Sequence, residues 1–290
     1  MVRELRITTL VENTAGRPEL LGEHGIAFWI EADGFRILFD TGQGRVLGHN
    51  AERLGIAPTA ADAVVLSHGH YDHSGGLAEV LGARRDLPVF LHPAALRPKY
   101  AHCVQPPHRA IGMPVSTAEA LGSQGDRVTW TRGPTELGPG ILLTGEIPRR
   151  TDFEDVGGPF YCDTACDTPD LLADDQALSI PTASGPVVVL GCAHAGVVNT
   201  LDYLAELTGT SRVRAVLGGM HLVRADAKRI EATIAALERY GVAVLAPAHC
   251  TGSRAVARLW TAFPERCREC SVGSRFVFGP GSEDAGCMIE

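Results

Sequence analysis

The sequence predicts an α/β (α+β) fold in which helices cover β-sheets, and two observations support this prediction. Short runs rich in Val, Ile, Leu and Phe recur along the chain, and several are bounded by Gly, Pro or Asp, as strands often are. These runs dominate the first half, whereas strand-like runs and helical patterns alternate in the second half. That order is typical of sheets with helices packed outside them.

The individual strands and helices follow from local composition and period. Strands are predicted at residues 6–11, 26–31, 36–39, 63–66, 89–92, 140–143, 177–180, 187–190, 213–217 and 242–246. Helices are predicted at residues 197–207, 226–240 and 251–263, where apolar residues recur at helical spacing. In the second of these helices Ile230, Ile234 and Leu237 share one stripe, and Gly241 is a suitable stop.

Length and composition predict a single domain over residues 1–290. A hydrophobic share of 45% and a charged share of 21% are ordinary for a globular chain with a sizeable core. Loop insertions are predicted near residues 93–125, where prolines cluster, and near residues 146–175, which are acidic. Long loops inside a domain are usually functional lids or insertions, so the first could form a wall or lid.

The charge balance excludes some classes of partner. A formal charge of -8 argues against general nucleic-acid binding, which depends on Lys and Arg. The N-terminus has no apolar core of a signal peptide, and no apolar run reaches the ~18 residues that a membrane span needs. We therefore expect a cytoplasmic protein that binds neither nucleic acid nor membrane. The sequence predicts no particular oligomeric state.

Eight cysteines are expected to be mostly free, buried thiols in a reducing compartment. They are Cys103, Cys162, Cys166, Cys192, Cys250, Cys267, Cys270 and Cys287. Cys267 and Cys270 have the spacing of a metal or redox pair, but no second CxxC completes a structural zinc site. Cys162 and Cys166, four residues apart, are the other candidate for a secondary site.

The strongest motif is SHGHYDHSGG, which begins at Ser67, directly after a predicted strand. In a tight loop His68 and His70 can face one metal, while Asp72 and His73 lie further round the turn and can face a second. Imidazole nitrogen with carboxylate oxygen suits zinc, and also iron or manganese. The density of these side chains therefore indicates a metal site.

Two later histidines stand in similar places. His194 and His249 each follow a predicted strand and precede a predicted helix, which is where metal ligands gather in layered α/β folds. Cys192 and Cys250 lie beside them and are expected to be packing residues, although a thiolate ligand would favour zinc. Asp40 ends the strand 36–39 and either orients a ligand imidazole or only closes the strand with a turn.

With these motifs the chain resembles the metallo-β-lactamase superfamily, whose signature is His-x-His-x-Asp-His followed by later strand-end histidines. It is most similar to the branch of dihydropterin ribofuranosylaminobenzene-phosphate synthase-like hydrolases. The matching segments span nearly the whole chain. They are residues 23–25, 39–42, 67–76, 144–149, 174–178, 191–200, 218–222 and 248–252.

The resemblance implies a four-layer αββα sandwich with two divalent metal ions, zinc or else manganese or iron, at one edge. The implied ligands are His68, His70 and His194 for one metal, and Asp72, His73 and His249 for the other. Much of the superfamily has a further carboxylate that bridges the metals. The position expected for it, after the strand 213–217, contains His221 and no Asp.

The implied activity is hydrolysis by a metal-bound hydroxide that attacks phosphorus or a carbonyl. Asp72 would hold a metal and accept a proton, and His221 would serve in acid/base work or substrate contact. His24 and Arg149 are further candidates for substrate binding. The branch implies a small-molecule, anionic substrate such as a phosphoester or a pterin- or ribose-phosphate-like molecule.

Three other functions stay open at this point. A lactone or amide hydrolase would use the same site, and an iron-dependent redox enzyme would use the same scaffold. The missing bridging carboxylate and the lack of a flavin-binding segment argue against the redox enzyme. A non-catalytic, metal-dependent binding protein is the third possibility, and the intact set of ligands argues against it.

Overall fold

Two β-sheets pack face to face in the computed structural model, which describes residues 1–279. Ile7, Phe28 and Ile30 of one sheet share a single buried cluster with Leu178 and Val189 of the other. These side chains are fully buried, so apolar burial between the sheets forms the centre of the fold.

The first sheet has seven strands. They are β1 (Leu5–Val11), β2 (Ala27–Ala32), β3 (Phe35–Phe39), β4 (Ala63–Val65), β5 (Val89–Leu91), β8 (Val128–Trp130) and β16 (Arg275–Phe278). The spatial order is β16-β1-β2-β3-β4-β5-β8, and the pairs from β3 to β8 are parallel. The carboxyl ends of β3 and β4 therefore meet at one edge.

The second sheet has six strands. They are β9 (Thr135–Gly138), β10 (Ile141–Leu143), β12 (Ala177–Thr182), β13 (Gly185–Leu190), β14 (Ala215–Gly219) and β15 (Val244–Ala248). The spatial order is β15-β14-β13-β12-β10-β9. Because β13, β14 and β15 are parallel, the loops after them also meet at one edge.

Helices cover the outer face of each sheet. Those beside the first sheet are α1 (Leu47–Arg53), α3 (Leu77–Ala83) and α4 (Val115–Gly122), and those beside the second are α5 (Val197–Thr208), α6 (Ala227–Arg239) and α7 (Ser253–Ala262). Each group packs its apolar side chains into a separate cluster with the adjacent sheet. The prediction of an αββα sandwich is confirmed. Among residues 1–279 no helix is long and apolar enough to cross a bilayer.

The two predicted loop insertions contain regular structure that the sequence analysis missed. β6 (Tyr100–Ala101) and β7 (Arg109–Ala110) lie in the first, and β11 (Phe160–Tyr161) lies in the second. They form a three-stranded sheet in the order β11-β6-β7, so the two insertions pair with each other. Strands of two residues show no period, which explains why local composition predicted only loops.

A buried lysine connects both insertions to the histidine-rich loop at residues 67–76. Lys99 is 2% exposed, and its Nζ lies 2.9 Å from Asp170 Oδ2 and 2.8 Å from Asp174 Oδ1. Burial disfavours the charged form of Lys99 and so lowers its pKa. The two carboxylates outweigh this effect and raise the pKa of Lys99 above the ordinary value. The other oxygen of Asp174 accepts a 2.7 Å hydrogen bond from the backbone N–H of Gly69.

We predict that Lys99→Met lowers the free energy of unfolding by about 3–5 kcal/mol, because it leaves two buried carboxylates without their cation. Urea unfolding followed by circular dichroism measures the change. Arg150→Met is the control, since it removes an ion pair with Glu206 in which both side chains are half exposed, and it should leave stability nearly unchanged. Equal stability of Lys99→Met and the unmodified chain would contradict the prediction.

Candidate metal centre

The histidine-rich loop follows β4 and runs into the single-turn helix α2 (Tyr71–Ser74). His68, His70, Asp72 and His73 are all buried. The loop can pass this close to its neighbours only because Gly69 has no side chain, since a Cβ there would lie 2.1 Å from the carbonyl oxygen of Ala95. The close approach of this loop to its neighbours therefore directs the side chains of His68, His70, Asp72 and His73 inward.

The rings of the first predicted ligand set lie close together, although the ligand groups found among residues 1–279 join His68 and His194 with Cys192 and do not include His70. His68 Nε2 lies 2.9 Å from His70 Nδ1, and the ring of His194 lies 4.9 Å and 5.0 Å from the rings of His68 and His70. Burial lowers the pKa of His70 to about 3 and that of His194 well below its ordinary value, so both rings are neutral, which is the form that binds metals.

The buried nitrogens of this set fit a cation. Nε2 of His70 and Nε2 of His194 have no hydrogen-bond partner among the described residues, although both atoms are inaccessible to solvent. Buried polar atoms are normally satisfied, so unpartnered imidazole nitrogens facing a cluster of histidines suggest a site that a ligand completes. Imidazole donors of this kind fit zinc and similar divalent ions.

The second predicted set surrounds Asp72. Its Oδ2 lies 3.4 Å from His249 Nε2 and 3.2 Å from His24 Nε2. Burial alone would raise the pKa of Asp72, but the hydrogen bonds with His24 and His249 hold it well below the ordinary value. His73 packs beside His249, with ring centroids 5.1 Å apart. The ionised Asp72 therefore groups with His24 and His249, whereas His73 groups with His249 and Cys192.

Asp40 and Ser67 orient two of these histidines. The Nδ1–H of His73 donates a 2.7 Å hydrogen bond to Asp40 Oδ2, and the Ser67 hydroxyl donates to the same oxygen at 2.7 Å. Because that hydroxyl proton is used, the Nδ1–H of His68 donates to Ser67 Oγ at 2.9 Å. Burial lowers the pKa of His73, but the Asp40 carboxylate more than offsets this and raises it to about 9.

Two further partners hold the strand-end histidines. The Nδ1–H of His194 donates to the carbonyl oxygen of Val156 at 2.8 Å, and the Nδ1–H of His249 donates to Asn13 Oδ1 at 2.9 Å. Asn13 and Val156 were missed by the sequence analysis. A single asparagine and a backbone carbonyl carry no signal in the sequence that links them to these histidines.

The predicted substrate contacts take different positions. His24 is partly exposed and His221 lies with its ring 4.2 Å from that of His194, so both line the same cavity. Arg149 instead donates hydrogen bonds to the carbonyl oxygens of His194 and Leu171, at 2.7 Å and 2.8 Å. Arg149 is not among the cavity-lining residues. It therefore holds two backbone segments together, whereas the sequence predicted that it contacts the substrate.

A cavity of about 730 Å³ opens over the histidine cluster. Its wall combines apolar and aromatic side chains with two guanidinium groups. These residues include Tyr71, Ile111, Phe160, Val223, Val256 and Trp260, together with Arg109 and Arg268. A cavity of this size and composition suits a small molecule that has an apolar ring and an anionic group.

The cysteines separate into different environments. Cys192 and Cys250 are buried beside the histidine cluster and line the cavity. Cys267 and Cys270 pack into two different apolar clusters, so their CxxC spacing does not create a shared site. Cys162 and Cys166 belong to none of the ligand groups found among residues 1–279. Cys287 lies outside the described residues.

Comparisons with known proteins agree with this geometry. The family model for the metallo-beta-lactamase superfamily matches residues 22–151. The chain is 32% identical, over 96% of its length and 98% of the relative, to 7,8-dihydropterin-6-methyl-4-(beta-D-ribofuranosyl)-aminobenzene-5'-phosphate synthase of Methanocaldococcus jannaschii. This relative matches the branch that the sequence analysis identified.

Solved structures give the same result. Tm1679, described as a metal-dependent hydrolase of the beta-lactamase superfamily, is 32% identical with a TM-score of 0.80, and the match covers 93% of this chain and 98% of that one. The metallo-beta-lactamase fold protein YhfI from Bacillus subtilis shares the fold at 13% identity and a TM-score of 0.55, over 95% and 100% of the two chains. The chain therefore belongs to the metallo-β-lactamase superfamily.

Proposed function

We propose that this chain is a metal-dependent hydrolase that holds two divalent ions, zinc in preference to manganese or iron. The proposed ligands are His68, His70 and His194 for one ion, and Asp72, His73 and His249 for the other. The observation that carries the proposal is the orientation of the histidines. His68, His73, His194 and His249 each have Nδ1 held by a polar partner, which leaves Nε2 to face the cluster.

Two bound divalent ions supply Lewis acidity and lower the pKa of a coordinated water to roughly 7. The side chains of the chain then handle protons and position the substrate. Asp72 Oδ2 lies 3.2 Å from Nε2 of the partly exposed His24, so a proton taken up at Asp72 can pass through His24 to solvent. His221 lines the cavity next to His194 and is placed to donate a proton to a leaving group or to contact the substrate.

The cavity supports a phosphoester as the substrate class. Arg109 offers a guanidinium donor, which suits phosphate, and Phe160 and Trp260 offer surfaces for an aromatic ring. The name of the Methanocaldococcus relative combines an aminobenzene ring with a ribose 5'-phosphate, which agrees with that pairing. We therefore assign the anion contact to Arg109 in place of Arg149.

The same name favours a second candidate, because that relative is a synthase. A synthase would use the same metals and cavity but transfer the substrate group to a second organic molecule. A hydrolase turns over with the phosphoester and water alone, whereas a synthase needs the second molecule. Turnover of a phosphoester without any added acceptor therefore distinguishes the two reactions.

We predict about two zinc ions per purified chain, one fewer in His70→Ala and in His194→Ala, and loss of phosphodiesterase activity in both variants and after chelation. Mass spectrometry of metals and a chromogenic phosphodiester measure the two effects. His49→Ala is the control, because His49 lies away from the cavity and contacts the Glu19 carbonyl. Unchanged metal content and activity in His70→Ala would refute the ligand assignment.

Asp40→Asn should weaken zinc affinity by about 10- to 100-fold, because the amide supports the Nδ1–H tautomer of His73 less well than the carboxylate does. Competition with a chromogenic chelator gives the dissociation constant. Asp62→Asn serves as the matched control, since Asp62 pairs with Arg36 at a distance from the cluster. An Asp40→Asn protein with the affinity of the unmodified chain would mean that Asp40 has only the role of closing the strand.

Arg109→Ala should raise KM for an anionic phosphoester by about tenfold, through loss of a charge-assisted hydrogen bond, and should leave KM for a neutral lactone nearly unchanged. Steady-state kinetics with both substrates measures the difference. Arg150→Ala, whose guanidinium pairs with Glu206 and does not line the cavity, is the control. An equal increase for the neutral substrate would show that Arg109 does not recognise the anion.

A further inference from the structure

The thiol of Cys192 lies between the two predicted ligand sets. Its Sγ is 3.2 Å from Nε2 of His73, the nitrogen left over after Nδ1 binds Asp40. The same sulfur and the ligand atoms of His68 and His194 all lie within 4.8 Å of one another, and so do the sulfur and the ligand atoms of His73 and His249. One thiol is therefore within reach of both metal positions.

These separations match those of donors that share a metal. With Zn–S near 2.3 Å and Zn–N near 2.05 Å, two donors of a tetrahedral zinc lie about 3.6 Å apart. The 3.2 Å contact with His73 lies close to that value. The sulfur also lies within 4.8 Å of the ligand atoms of His68, His194 and His249, so Cys192 is near enough to share a metal with either histidine set.

The backbone around Cys192 leaves its side chain little freedom. A Cβ on the preceding Gly191 would lie 2.0 Å from Ser67 Oγ, so the end of β13 packs directly against the residue that orients His68. Cys192 itself is 3% exposed. The end of β14 and the turn after it supply no competing carboxylate, because residues 218–225 read GGMHLVRA.

We propose that Cys192 supplies a thiolate ligand shared by the two metal positions, an inference that rests on the two-metal site proposed above. On binding, the S–H bond breaks, its proton leaves to solvent, and sulfur–metal bonds form without any change in oxidation state. Thiolate is a soft ligand, so it selects zinc or cobalt over manganese and magnesium. The nearby Cys250 donates to the Cys192 carbonyl at 3.6 Å. Among the described residues its sulfur groups with Cys192 and His221 and with none of the predicted histidine ligands, which makes Cys250 the matched control.

Cobalt tests this ligand directly, because cobalt thiolates absorb in the near ultraviolet and cobalt bound only by nitrogen and oxygen does not. The full chain is stripped of metal, titrated with Co²⁺, and its metal content is measured beside the spectrum. We expect a sulfur-to-cobalt band in the unmodified chain, in Cys250→Ser and in Cys267→Ser. Cys192→Ser should lose the band. It should also weaken cobalt affinity by at least about tenfold, because removal of even an outer contact of a metal ligand typically has an effect of that size.

A band that persists in Cys192→Ser, or two bound cobalt ions without any band in the unmodified chain, overturns the thiolate ligand but leaves the two-metal site standing. An unmodified chain that binds no cobalt overturns both proposals. If Cys192→Ser fails to fold, X-ray absorption of the zinc-loaded unmodified chain decides. A sulfur shell near 2.3 Å supports the proposal, and a spectrum with only nitrogen and oxygen neighbours refutes it.

Discussion

A hydrogen bond to the Nδ1 of His68, His73, His194 and His249 is the constraint on which the site depends. Ser67, Asp40, the Val156 carbonyl and Asn13 each accept an Nδ1–H, and they come from four separate segments of the chain. An imidazole whose Nδ1 is fixed can direct only Nε2 towards a shared centre. The αββα sandwich serves this arrangement because Asn13, Asp40 and Ser67 follow the ends of β1, β3 and β4 at a single edge, and the second loop insertion brings Val156 to the same edge.

The two loop insertions extend the same arrangement beyond the strands. Lys99 joins Asp170 and Asp174, and Asp174 in turn holds Gly69 between His68 and His70. A buried ion cluster is a costly way to join loops, but it fixes their geometry strongly once every charge is paired. The cavity wall formed by these insertions is therefore coupled to the loop that carries the first ligands.

Much of this molecule could be predicted from local sequence. The motif from Ser67 to Gly76 and the strand-end positions of His194 and His249 have short-range signatures, and the strands before them are strongly apolar. Ser67 is the direct neighbour of His68, but Asp40, the Val156 carbonyl and Asn13 are distant in sequence from the histidines that they orient. Arg149 donates a hydrogen bond to the His194 carbonyl, and no local pattern predicts that contact. Short strands such as β6 and β11 form through pairing between insertions and have no period of their own.

The central claim is that two metals lie within this cluster, each bound by its own set of side chains. Anomalous X-ray diffraction at the zinc edge, from crystals of the zinc-loaded chain, tests it most directly. The account predicts two peaks, one bounded by His68, His70 and His194 and the other by Asp72, His73 and His249. A single peak, or peaks away from these side chains, would contradict it.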